Sequence, residues 1–217
     1  MVRLLLCFIA FTMAGCTTTD DFPQRTDDGL ERIPTSKVMA AYQLPEADFS
    51  GYRRVQLAPC QVAFRKDWLR DYNRDSAGPR LRTEDMDEIA EAVAEQFAEV
   101  FSEELSKRGY QVVEADVKEA DVLLLKPAIV NLDVTAPDVP SASIQRNYVS
   151  SAGEMTLYLE LHDAQTNALL ARSVDHREAT DLGFYQRANR VTNRQELRRI
   201  LRRWADLLAD GLDEARR

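Results

Sequence analysis

Cysteine, histidine and glycine are scarce in this chain of 217 residues, at three, two and eight. Each scarcity excludes chemistry. Cys7, Cys16 and Cys60 stand far apart, without the paired spacing that holds zinc or an iron–sulfur cluster. His162 and His176 are the only histidines and form no His-Glu metal helix. Eight glycines include no phosphate-cradling loop and no nucleophile elbow. Positive charge is also short, with 28 Lys and Arg against 36 Asp and Glu and a net −8. That balance argues against nucleic acid and against broad adhesion to anionic lipid. No apolar run is long enough to span a bilayer, since the N-terminal one, Leu4 to Met13, rises only about 15 Å as a helix.

What is present begins with that run. Arg3 provides a charged start, Leu4 to Met13 an apolar stretch of signal-peptide length, and Ala14 and Gly15 the small residues a signal peptidase needs. Met13-Ala14-Gly15-Cys16 resembles the lipobox of bacterial lipoproteins, with Met13 where Leu is usual. The resemblance implies that residues 1–15 leave and that Cys16 is acylated as the first mature residue. Membrane attachment then comes from the acyl chains on Cys16, each methylene adding about 0.8 kcal/mol. The same resemblance implies, from Thr17 after the cysteine where Asp would retain the protein, sorting to the outer membrane with the domain on its periplasmic face. Only Cys60 then keeps a thiol, so no intramolecular disulfide is expected.

Residues 16–50 read as a lipidated N-terminus and polar tether, interrupted by Pro23, Pro34 and Pro45, with Val38 to Leu44 resting on the domain. A flexible chain of that length spans about 30 Å. Residues 51–217 read as one domain. Tyr52 to Leu57 alternates as a strand, extended by Val62 and Phe64, and Arg65 to Arg82 reads as a loop anchored by Trp68 and Tyr72. A helix is expected from Thr83, as N-cap, to about Lys107, ended by Gly109. Tyr110 to Val113 and Asp121 to Thr135 read as strands, with Pro127 marking an edge or a break. Ala136 to Ser151 reads as a loop, and Glu154 to His162 with Ala168 to Glu178 as a hairpin whose turn uses a left-handed Asn167. A last helix begins near Thr192, with Gln195 closing a capping box. The order implies an α+β fold: a mostly antiparallel sheet with two long amphipathic helices packed on one face.

Several segments carry a family resemblance. They are Asp48-Phe49-Ser50-Gly51-Tyr52 with Val55-Gln56-Leu57-Ala58-Pro59, Asp121 to Ile129, the turn Asp163 to Arg172, and Trp204-Ala205-Asp206-Leu207-Leu208. In that order, behind the lipobox, they resemble a bacterial lipoprotein family, the domain of unknown function numbered 3313. The resemblance implies an envelope location and carries no catalytic residue.

The residues offer few sites. Cys60 has no histidine near it in sequence and reads as a buried, inert thiol. A hairpin centred on Gln165 places His162 opposite Ala168 and His176 opposite Glu154, too far apart to share an ion. Asp175-His176-Arg177-Glu178 reads as a solvated strand end, and Asp138, Ser141 and Ser143 as members of a polar loop. No catalytic, cofactor or metal residue is expected, and the only site residue is the lipidation site, Cys16. Acidic residues Asp87, Glu91, Glu95, Glu99 and Glu103 recur every four positions, and the last helix opens with Arg194, Arg198, Arg199, Arg202 and Arg203. Side-by-side helices would bring one of Arg194, Arg198 or Arg202 to Glu91, Glu95 or Glu99. The expected function is non-enzymatic, a protein-interaction or structural domain with an envelope protein partner. The alternative is a lipid or small apolar ligand binding module accessory to envelope transport, marked by an apolar cavity between sheet and helices.

Overall fold

The computed structural model describes residues 22–34, 36–76, 79–114, 116–134, 147–149, 153–178, 186–188 and 190–216. Among the described residues the first elements are strands β1 (Glu31–Arg32), β2 (Ala40–Gln43), β3 (Arg54–Leu57) and β4 (Gln61–Phe64), then helices α1 (Trp68–Asp75) and α2 (Thr83–Lys107). Strands β5 (Gln111–Val113), β6 (Val122–Val134), β7 (Asn147–Val149), β8 (Gly153–Asp163), β9 (Leu169–Glu178) and β10 (Gln186–Ala188) follow, and helix α3 (Arg190–Ala215) ends it. Eight strands form one sheet in the order β1-β2-β9-β8-β6-β3-β5, with β4 also beside β6, while β7 and β10 pair separately. The expected loop from Ala136 to Ser151, with Asp138, Ser141 and Ser143, lies outside the described residues except at β7.

The fold is α+β, but its sheet is mixed rather than mostly antiparallel. β3 runs parallel to β5 and β6, and β4 parallel to β6. The cause is α2. Its 25 residues rise about 37 Å and carry the chain back along the sheet, so the strands after it enter in the direction of those before it. A third helix also appears. Where a loop was expected, Trp68 opens α1, stacks on Tyr72 at 5.6 Å and donates its indole N–H to the Val134 carbonyl at 3.3 Å. The anchors are the expected ones; the local conformation is helical.

Pro127 marks neither an edge nor a break, because β6 continues through it in the middle of the sheet. Ala58 donates its N–H to the Leu125 carbonyl, so the amide positions of residues 125 and 127 face the β3–β4 side. β3 pairs with β6 as far as Leu125 and β4 takes over at Ala128. The missing donor of Pro127 therefore falls at the junction of two strands, where no partner is left unsatisfied.

β6 and β8 turn Leu123, Leu125 and Ile129 and Leu157, Leu159 and Leu161 to one face, in pairs such as Leu125 with Leu161. Phe97, Phe101 and Leu105 of α2 and Ile200, Leu201 and Trp204 of α3 join the same core. Gly109, at φ 88°, ends α2 as expected. The α2 N-cap is Arg82 rather than Thr83, and its backbone N–H donates to the Asp85 carboxylate at 2.7 Å. Between the helices Arg198 reaches Glu99 at 2.9 Å and Glu103 at 3.3 Å, and Arg202 lies 3.5 Å from Glu104. The acidic stripe of α2 thus has cationic neighbours in its C-terminal half.

The largest correction concerns the N-terminal segment. Phe22 to Pro34 is not a free tether, while Val38 to Leu44 rests on the domain as expected. β2 adds to β9, and Leu30, Ala40 and Tyr42 are buried with Val174 in a second apolar cluster flanked by Phe22, Leu44 and Leu169. Asp28 is tied to Arg172 at 2.6 Å. Ala40, Tyr42 and Leu44 alternate along and just beyond β2, whereas Phe22 and Leu30 are isolated apolar residues in a polar stretch, without periodicity of their own. Residues 1–21, with the expected signal segment and Cys16, lie outside the described residues. Among the described residues no helix is long and apolar enough to cross a membrane.

Candidate functional site

The singled-out residues do not converge. Cys60 is partly buried against the core, and burial pushes its thiol up to about 12, so it stays protonated at neutral pH. His162 is buried; Nδ1 lies 3.0 Å from the Asn167 carbonyl and Nε2 3.0 Å from the Glu160 carboxylate. Burial pushes the Glu160 carboxyl up, but hydrogen bonds from His162 and Arg172 outweigh it and hold the group below its ordinary range. His162 pairs with Leu169 rather than Ala168 and His176 with Thr156 rather than Glu154, because the hairpin is one residue out of the expected register at the turn and shifts by one more between Leu161 and His162. Thr156 is six residues from His162 along β8, about 20 Å, so the histidines are far apart as expected.

His176 nevertheless has carboxylate neighbours. Its Nε2 lies 3.7 Å from both Glu154 and Glu178, and Nδ1 meets the Thr156 hydroxyl at 3.2 Å. These three residues are the group able to face a cation among the described residues, and all reach solvent. The sequence reading paired the histidines with each other and so passed over this trio. The alternation of His176 and Glu178 opposite Glu154 was its available signal.

A groove lies under α3. It measures about 240 Å³ and runs between the C-terminal half of α3, the β9–β2 edge and the segment from Ile33 to Val38. Its origin is a change of side-chain size across the sheet. On the inner face Leu159 is followed by Ser173 and Ala41, and Leu161 by Ala171 and Gln43. Leucines fill the space beneath α3 at β8, whereas Ala and Ser at β9 and β2 leave it open. Trp204, Leu207 and Leu208 form the helical wall and Ile33 and Val38 the opposite one.

Asp175 fixes the groove's inner end. It is 6% exposed and accepts three N–H groups: Trp204 Nε1 at 2.8 Å, Arg177 Nε at 2.6 Å and the Met39 backbone at 3.0 Å. Helix, strand and N-terminal segment are therefore tied to one carboxylate. The mouth carries Lys37, 3.7 Å from Asp210 and 3.8 Å from Glu214. Gly211 sits between those acids, and a Cβ built there meets nothing within 4 Å. A glycine within a helix costs about 1 kcal/mol against alanine, and the packing of this chain does not require one at position 211. Sequence reading missed the groove because small residues at alternate strand positions look like ordinary core filler.

A larger hollow, about 490 Å³, separates the starts of α2 and α3 and is lined by charged residues including Glu95, Glu99, Arg194 and Arg198. It also borders Leu132, Val134 and Gly153.

The family model described as "Protein of unknown function (DUF3313)" matches residues 23–208. No curated protein matches the sequence. Among solved structures, the PelC dodecamer from Paraburkholderia phytofirmans is similar at a TM-score of 0.40 and 9% identity, covering 77% of this chain and 95% of that one. The minor lipoprotein from Acinetobacter baumannii is similar at 0.33 and 9%, covering 74% and 94%. Lipoprotein GNA1162 from Neisseria meningitidis is similar at 0.32 and 9%, covering 70% and 98%.

Proposed function

Since the chain belongs to the DUF3313 family, whose function is unknown, we propose from its own residues that it is a lipid-anchored envelope domain that binds an apolar ligand without catalysis. The observation that carries the binding half is the groove under α3, an apolar cavity between sheet and helix of the kind the alternative reading required. The anchoring half rests on Met13-Ala14-Gly15-Cys16 behind the apolar run. From Cys16 to Phe22 six residue steps reach at most about 20 Å, so an acylated Cys16 holds the domain close to the outer-membrane surface. A short leash suits a domain that exchanges apolar material with a membrane.

Two measurements test this. In cells, Cys16→Ser moves the protein from the detergent phase to the aqueous phase; wild-type protein in the aqueous phase ends the anchoring reading. For binding, the full acylated chain in phosphatidylcholine vesicles is irradiated with a diazirine-bearing long-chain alcohol, and adducts are mapped by peptide mass spectrometry. Adducts are expected on residues 33–43 and 204–215. Their absence there removes the binding reading.

A further inference from the structure

The groove's size and the charges at its mouth narrow the ligand. This step rests on the groove being a binding site. We infer that it takes part of one acyl chain of a zwitterionic aminophospholipid drawn from the membrane, passing over Gly211, with Lys37 meeting the phosphate and Glu214 the ammonium. Three observations carry it.

The first is shape. A volume of about 240 Å³ lies below the range of about 300–1,000 Å³ that drug-sized molecules occupy, so the groove takes only a small apolar segment, such as part of one acyl chain. The groove lies between a helix and two strands, and its floor carries the small side chains of Ala41, Ala171 and Ser173, with Gln43 beside Ala171.

The second is charge. Lys37 is 58% exposed and stands 3.7 and 3.8 Å from its two carboxylates, beyond hydrogen-bond length. Asp210 is also held from its other side by Arg108 at 3.1 Å, while Glu214, 65% exposed, has Lys37 as its ion-pair partner among the described residues. A separated cation and anion at one mouth match a phosphate and a primary ammonium on one head group. An anionic head without an amine leaves Glu214 repelled.

The third is Gly211. It is exposed in the penultimate turn of α3, lines the groove and lies between Asp210 and Glu214. A Cβ added there would meet nothing within 4 Å among the described residues. A glycine at this place keeps the passage between the charged mouth and the apolar floor clear.

The test uses the full acylated chain in phosphatidylcholine vesicles doped with mid-chain diazirine phosphatidylethanolamine, diazirine phosphatidylglycerol, or the diazirine alcohol. Phosphatidylethanolamine should label residues 33–43 and 204–215 up to about fivefold more than phosphatidylglycerol, the most an exposed ion pair supplies. Glu214→Gln should bring the two to parity. Gly211→Leu should cut labelling of the groove by about tenfold or more while leaving the circular dichroism unchanged. Gly211→Ala, the milder variant, should lower labelling while raising the melting temperature by about 2–4 °C. Equal labelling by the two phospholipids in the wild type overturns the head-group assignment. Labelling indifferent to both Gly211 variants overturns the passage. Labelling by the alcohol alone defeats this inference and leaves the groove reading standing; labelling by no probe defeats both.

Discussion

Replacing Asp175 by Asn tests whether one buried carboxylate pins α3 and the N-terminal segment to the sheet. Its Oδ2 accepts from Trp204 and Arg177, and its Oδ1 from the Met39 amide. Three donors converge, and an amide has one acceptor oxygen, so its nitrogen must face at least one donor. The better orientation turns the nitrogen toward Met39, which loses that bond and weakens the Arg177 contact from charged to neutral. A charge-assisted bond contributes about 1.5–3 kcal/mol and a neutral one about 1 kcal/mol. Arg177 is 35% exposed, so water recovers part of its loss. The expected destabilisation is about 2–3 kcal/mol for Asn, and about 3–5 kcal/mol for Ala, which leaves all three donors without their acceptor. Urea unfolding of the purified chain, followed by tryptophan emission, reads the difference, and the melting temperature falls by about 4–12 °C for Asn. Losses below about 1 kcal/mol for both variants refute the idea that this carboxylate joins the three elements.

Other perturbations follow from single contacts. Gly153 has φ 135° and a Cβ there would lie 2.0 Å from the Asp133 carbonyl oxygen, so Gly153→Ala should cost more than about 2 kcal/mol in the same titration. Arg198→Ala and Glu99→Ala in a double-mutant cycle should show coupling of about 0.2–1 kcal/mol at 0.15 M salt, and none if the pair is merely solvated. Burial raises Cys60 from 9.0, and burial with hydrogen bonds to Asp163 and Asp213 raises Tyr52 and Tyr110 from 10.0, all to about 12. Each raised group stabilises the fold fully below its unfolded value and loses that contribution as pH climbs through the folded one. Stability should therefore fall between about pH 9 and 12, and Tyr52→Phe should flatten part of that fall in a circular dichroism titration.

The elements that could be read from the sequence are those whose signals are local. Asn167 adopts φ 60° in the turn it was expected to make, and the helix ending at Lys107 lies within one residue of its expected start. The Arg198–Glu99 contact follows from two helical periodicities lying side by side. What escaped is non-local. Whether β3 pairs parallel or antiparallel with β6 depends on where α2 delivers the chain, which no residue in either strand records. Leu30 is buried in a cluster with Val174, far along the chain, so its own neighbours give a tether's composition. The candidate site is legible only in retrospect, because Ala41, Ala171 and Ser173 matter for volume they do not fill.

The pairing of β2 with β9 also sets an order in time. Met39 and Asp175 are 136 positions apart, so the N-terminal strand is synthesised long before its partner exists. The hairpin of β8 and β9 closes over a few residues and gains its contacts early, whereas β2 must wait for it. Until β2 arrives, β9 presents an open edge, a template for pairing with another chain. The segment that is made first is thus sewn in last, and the interval before that final stitch is when this chain is most exposed to misassembly.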